Sequence, residues 1–242
     1  MKKIKTISLI SIMLFVSCAF LSIPSASAVD MSYSAGDLLK ADFDAVYYYA
    51  PSGHRFAYPQ DKYFFTWHND FSEVNQITNE ELASIPLSDV ILIRPGTKLV
   101  KIQSIPTVYA VSRVGELYAI ASEEVAVEMF GENWSNNVID IQDSFWFAYT
   151  DTQIELDGTW YPDGFLLKAA DSEDIYLIWD GMKLLIDSNE AFEANRFNRD
   201  YVYTTTQDIL DSYEDGQVIS EEEPWLTDDS QGGPPPAPNP MM

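Results

Sequence analysis

The sequence predicts an α+β, β-rich fold made of three tandem units, each a β-hairpin with short helices, the units sharing a core. Three observations predict it. Short apolar strands recur with one lysine in register: "GDLLKA", "GTKLVKI" and "GFLLKA" put Lys40, Lys101 and Lys168 in matching places. A tyrosine then precedes a glycine in "AVYYYAPSG", "TVYAVSRVG" and "DIYLIWDG", where Tyr47, Tyr109 and Tyr176 stand five or six residues before Gly53, Gly115 and Gly181. Those glycines lie 62 and then 66 residues apart, and self-similarity at a near-constant period is the signature of a tandem array. The units run over 36–93, 94–156 and 162–219.

Each element follows from local chemistry. Apolar residues two apart after the glycine (Phe56 and Tyr58, Tyr118 and Ile120, Leu184 and Ile186) have the period of a return strand. The glycine supplies the positive φ that a tight hairpin turn needs. A short helix is expected from about Gln60, Ser122 and Ser188, with acids in the first turn of the second and third units, ending near Trp67, Phe130 and Phe197. The following His68, Gly131 and Asn198 share a tolerance for the left-handed conformation that closes many helices. Another aromatic recurs at Phe71, Trp134 and Tyr201, and Thr78-x-x-Glu81 forms a capping box for a second helix. Its apolar positions are Leu82, Trp146 and Leu210, then Ile85, Tyr149 and Tyr213.

The repeat also says what the tyrosines are. Tyr48 aligns with Ala110 and Leu177, and Tyr49 with Val111 and Ile178, so both positions are packing positions first. They stay candidates for a ligand-facing aromatic platform, together with Trp160 and Tyr161, a connector pair matching no repeat position.

Lys2, Lys3 and Lys5, the apolar run from Ile7 to Leu21 and Ala26-x-Ala28 form a signal peptide over 1–28. Cys18 raises a lipoprotein alternative, against which Phe15-Val16-Ser17 is a poor lipobox. No later apolar run is long enough to span a membrane. Cleavage removes the lone cysteine, so disulfides cannot hold the mature chain. It also removes three of the 14 basic residues, leaving 11 against 38 acids, a net of −27. That charge repels a phosphate backbone and argues against nucleic acid as a partner. The expected location is secreted, extracellular or at the cell surface, with the periplasm also open. Residues 220–242 combine acids with Pro and Gly and lack apolar periodicity, so a disordered tail is expected there.

The cadence resembles a bacterial extracellular tandem repeat of the form G-x-L-I-K-G, V-Y-Y-x, G-K-R-Y, I-P. That family is found in predicted surface proteins and beside wall-active enzymes, and no activity is established for the repeat. The matching residues are Gly36, Leu38, Lys40, Val46, Tyr47, Gly53, Arg55 and Tyr58, and in the third unit Gly164, Leu166, Lys168, Ile175, Tyr176, Gly181, Lys183 and Ile186. The second unit departs, with Glu116 and Leu117 where a basic pair is typical.

Catalysis is poorly supplied. Of the two histidines, His54 follows the hairpin glycine and His68 sits at the helix cap, so both are expected as surface turn residues. Neither G-x-S-x-G nor a phosphate-cradling glycine loop occurs. Loop calcium is a candidate at Asp42, Asp44, Asp171, Glu173 and Asp174, which carry the oxygen ligands it favours. The expected function is a non-enzymatic structural or adhesive surface module whose partner is a cell-surface polymer or another surface protein. A glycan- or peptidoglycan-binding module is the alternative. A hydrolase working through two carboxylates is the second alternative.

Overall fold

The computed structural model describes residues 32–230, so the expected signal peptide lies outside the described residues. In the first unit the elements are β1 (Leu38–Lys40), β2 (Tyr47–Tyr49), β3 (Arg55–Ala57), α1 (Asp61–Trp67), β4 (Val74–Gln76), α2 (Asn79–Ser84) and β5 (Leu87–Val90). The second has β6 (Leu99–Ile102), β7 (Tyr109–Val111), β8 (Glu116–Ile120), α3 (Glu123–Phe130), β9 (Val138–Ile141), α4 (Asp143–Trp146) and β10 (Thr150–Leu156). The third has β11 (Leu166–Ala169), β12 (Ile175–Trp179), β13 (Met182–Ile186), α5 (Asn189–Ala194), β14 (Val202–Thr205), α6 (Gln207–Asp211) and β15 (Glu214–Asp215).

Among the described residues the strands form three five-stranded sheets with one topology, β4-β1-β2-β3-β5, β9-β6-β7-β8-β10 and β14-β11-β12-β13-β15. Three antiparallel strands make the centre of each, and the two outer strands add parallel to the first and third. A parallel addition needs a crossover, and the two short helices provide them. Register repeats as well: Leu38 pairs with Val74, Leu99 with Val138 and Leu166 with Val202. Gly36, Gly96 and Gly164 each donate their N–H to the residue ending or nearly ending the second strand, Tyr49, Val111 and Ile178. The expected N-caps also hold. Ser122 and Ser188 accept from the third helical N–H, and the Thr78–Glu81 capping box is complete.

Successive strand residues face opposite sides, so each sheet has two apolar faces to cover. The buried side chains divide into four clusters rather than one core, and none of the clusters takes residues from all three units. One joins Leu38, Tyr48, Tyr63, Phe64 and Trp67 of the first unit to Val100, Tyr109, Val111 and Ile141 of the second. The next repeats this one unit on, joining Leu99, Ala110, Met129 and Phe130 to Leu167, Ile178 and Tyr203. In the third, Leu166, Leu177, Leu184 and Phe192 meet Ile219, Trp225 and Leu226. The fourth covers the remaining face of the first sheet, where Leu39, Ala41, Ile77 and Leu82 gather with Tyr33. Hence α1 and α3 each have the sheet of the next unit on their outer side, and at α5 the C-terminal segment stands in that place.

Two local expectations are corrected. Residues 220–230 are not a free tail: Leu226, Thr227 and Asp229 are buried, because an indole, a leucine and a carboxylate each find a partner on the body of the protein. Among the expected left-handed caps, Gly131 has φ 83, whereas His68 and Asn198 are extended. In the third unit the left-handed residue is Arg196, with φ 53.

The hairpin turns carry a measurable cost. Asp180-Gly181 has positive φ at both residues, as a type I′ turn requires, and Asp tolerates it. The second unit has a longer loop, Arg113–Gly115, that also puts two successive residues at positive φ, Gly115 and Val114 at φ 55, where a β-branched side chain clashes with its own backbone. Val114 is 62% exposed and loses little packing if replaced. Val114→Asn is expected to raise stability by about 1 kcal/mol in urea unfolding; a neutral or destabilising result would contradict the strain.

Candidate functional site

A polar junction is buried where the first unit, the third unit and the C-terminal segment meet. Tyr58 follows β3 and His68 caps α1, so one crossover brings both side chains to the same end of the first unit. Asp229 arrives from the C-terminal segment with its side chain fully buried, and His68 is 7% exposed. His68 Nε2 lies 2.6 Å from Asp229 Oδ2, and the Tyr58 hydroxyl donates to the same oxygen and stands 3.1 Å from the imidazole. Arg196, turned inward by its left-handed backbone, reaches Asp229 Oδ1 at 3.3 Å and the Thr227 carbonyl at 3.4 Å.

A second cation supports this group. Arg94, just beyond β5, is 6% exposed and lies between the rings of Trp67 and Phe197, 5.2 and 5.1 Å from their centroids. Its guanidinium donates to the carbonyls of Arg196 (2.6 Å), Asn195 (2.7 Å) and Leu226 (3.3 Å). Burial pushes its pKa down to about 10, which still leaves it charged at neutral pH. Burial, then the Asp229 charge and hydrogen bond, hold the Tyr58 phenol well above its ordinary range. Tyr48 behind it is pushed up in the same way by burial and by the charges of Asp228 and Asp229.

The arrangement does little chemistry. The hydroxyl within reach of the imidazole is a phenol that resists ionisation, and both oxygens of Asp229 are already engaged. His68 is therefore not the surface turn residue expected, since Asp229 and Tyr58 satisfy it inside the protein. His54 matches the expectation more closely, exposed and bonded to the Ser52 carbonyl. Sequence reasoning missed Asp229 because it lies 161 residues from His68, in a segment without periodicity. The available signal was Trp225-Leu226 ahead of Asp228-Asp229, an apolar pair and a carboxylate pair in a chain with few cations to meet them.

The candidate platform residues are placed differently from one another. Tyr48 and Tyr161 are each 2% exposed and present no outer face. Tyr161 donates its hydroxyl to the Met129 carbonyl at 3.0 Å, and burial pushes its pKa up to about 12. Tyr49 and Trp160 are half-buried, each edge-on to another ring, Tyr33 and Tyr118 respectively. Among the described residues Phe147 (77%), Phe43 (63%), Phe71 (48%) and Phe65 (41%) are the exposed phenylalanines, and of these Phe65 and Phe71 form a ring pair, with centroids 5.2 Å apart, that no repeat pattern singled out.

The five candidate calcium ligands are all exposed. Asp42 accepts from Asn79 at 2.8 Å and Asp44 pairs with Lys40 at 3.6 Å. Among the described residues no group of three or more His, Cys, Asp or Glu side chains is placed to hold a metal ion.

One carboxylate pair has a perturbed member. Asp163 and Asp180 are bridged by Arg113 at 3.3 and 3.4 Å, and desolvation raises the Asp163 pKa despite backbone donors from Asp180 and Gly181. A raised folded-state pKa contributes stability that is complete below the unfolded value near 3.9 and is lost as pH rises through the folded one. Asp163→Asn is therefore expected to raise Tm at pH 7, with the advantage over wild type closing below about pH 4. A constant offset across that range would contradict the burial argument.

Comparison with protein-family models, curated proteins and solved structures finds no match for this chain.

Proposed function

We propose that this chain is a non-enzymatic structural module in which three units work as one stack, exported and held at the cell surface. The observation that carries this reading is the wedging of α1 and α3, the first helices of the first two units, between their own sheet and the sheet of the next. Units of this size bury little alone, and stacking supplies the missing apolar contact, as in other repeat arrays. Both histidines, Arg196 and the buried Arg94 are engaged in internal hydrogen bonds, which supports a structural use of these groups. No described helix is long and apolar enough to cross a membrane, and the leader read from the sequence supplies export.

Calorimetry of the full chain is expected to give one transition, with calorimetric and van't Hoff enthalpies in agreement. Independent melting of the units would remove the stack. Glycan binding is the second reading, and the exposed Phe65–Phe71 pair is the observation that favours it. Retention on purified cell wall or a glycan array, abolished by Phe71→Ala, would favour binding over structure.

A further inference from the structure

The C-terminal segment is held as a bound peptide is held. Residues 221–230 contribute no strand or α-helix, and about half of their hydrogen bonds go to groups outside the segment. Asn195, fully buried, reads the backbone in two directions: its Nδ2 donates to the Glu221 carbonyl and its Oδ1 accepts from the Glu223 N–H, both at 2.8 Å. Trp225 lies against Trp179 at 4.8 Å, and Leu226 is buried. The Leu226 and Thr227 carbonyls are taken by Arg94 and Arg196, and the Asp229 carboxylate by Arg196 and His68.

Charge matches as well. The segment holds five of the chain's 38 acids, and the groove gathers two of its 14 arginines and lysines with one of its two histidines. Of those five acids Asp229 is the one that meets the cations, pairing with Arg196 and His68, while Arg94 holds backbone carbonyls, so the groove is marked for a single carboxylate at that position. The groove also takes the place that a following unit's sheet occupies beside α1 and α3, which makes it continuous with the way units already meet.

We propose that this groove, formed by Asn195, Arg196, Arg94, His68 and Trp179, is a recognition site for an acidic Trp-Leu-x-x-Asp peptide segment, filled here by the chain's own residues 221–230 and able to accept those residues from a second copy. The contacts made in cis and in trans are the same. What favours the intramolecular form is the tether, which acts as an effective concentration in the millimolar range. Weakening the tethered segment opens the groove to the same sequence supplied from outside, because apparent affinity scales with the fraction of open sites.

A fluorescein-labelled peptide of residues 220–230 titrated into the full-length Trp225→Ala/Leu226→Ala chain tests this. That variant should bind the peptide at least tenfold more tightly than wild type, and an Asp229→Ala peptide should lose at least tenfold. Failure to bind a variant that is folded by circular dichroism would overturn the site, as would equal binding of a scrambled peptide. A mixing experiment tests the second copy as occupant. The Trp225→Ala/Leu226→Ala chain keeps a sound groove and an Asn195→Ala chain keeps a sound segment, so the mixture should form a one-to-one dimer in light scattering while each alone stays monomeric. Absence of that dimer, with both chains folded, would overturn exchange between copies.

Discussion

Asp229→Ala will lower the stability of the chain by about 3–5 kcal/mol, the usual cost of stranding a buried charge by removing its partner. The carboxylate is the common acceptor for Tyr58, His68 and Arg196, so its loss leaves three donors facing an empty pocket. Asp229→Asn keeps the shape and one carbonyl acceptor and should cost clearly less. Total stabilities of single domains are only about 5–15 kcal/mol, so the alanine variant should show a large drop in urea midpoint. A double-mutant cycle with Tyr58→Phe should show coupling of about 0.5–3 kcal/mol, since both side chains belong to one network. A loss below 1 kcal/mol for Asp229→Ala would mean the C-terminal segment is a loose covering and not a clamp.

Gly164→Ala is expected to be at least as damaging, because two penalties add. Its φ of +98 is unfavourable for any L side chain, and an added Cβ would stand 2.3 Å from the Pro95 side chain and 2.9 Å from its backbone. Gly96 is its counterpart in the same contact, where a Cβ would meet the Gly164 carbonyl oxygen at 2.1 Å. Backbone cannot move aside as a side chain tip can, so the connections leading into the second and third units must separate. Gly36 is the internal control. It has the same φ of +98 and nothing within 4 Å, so Gly36→Ala should cost only the backbone term of about 1–2 kcal/mol. Equal losses at Gly36 and Gly164 in chemical unfolding would show that close approach between units contributes nothing.

The two glycines also mark how far sequence reasoning reached. Gly36, Gly96 and Gly164 head the repeated strands and look alike in the sequence, and all three have positive φ. That Gly96 and Gly164 touch while Gly36 stands free depends on which unit lies beside which. The capping box at Thr78 and the N-caps at Ser122 and Ser188 were legible because each is satisfied within four residues. The alignment of Tyr48 with Ala110 and Leu177 pointed to packing for the same reason: an alternating strand fixes which side a residue faces, and the structure buries all three.

The junction was not legible, since its parts come from four places in the chain. Tyr58, His68, Arg196 and Asp229 carry no mutual spacing, and Asp229 sits in a stretch whose composition alone predicts disorder. Composition counts apolar residues available to a segment by itself; it cannot count a groove prepared elsewhere with two arginines, a histidine and a tryptophan. Phe71 shows the converse, an aromatic at a recurring position that the packing of the first unit leaves facing water.

By itself the sequence determined the unit: its strands, its turn glycines, its helix starts and its threefold recurrence, all set by interactions spanning a few residues. The tertiary structure alone decided how α5 is covered, where the scarce cations converge, and which carboxylate they hold. Those outcomes depend on contacts between segments from 26 to 161 residues apart, whose energies arise only once the backbone has brought them together.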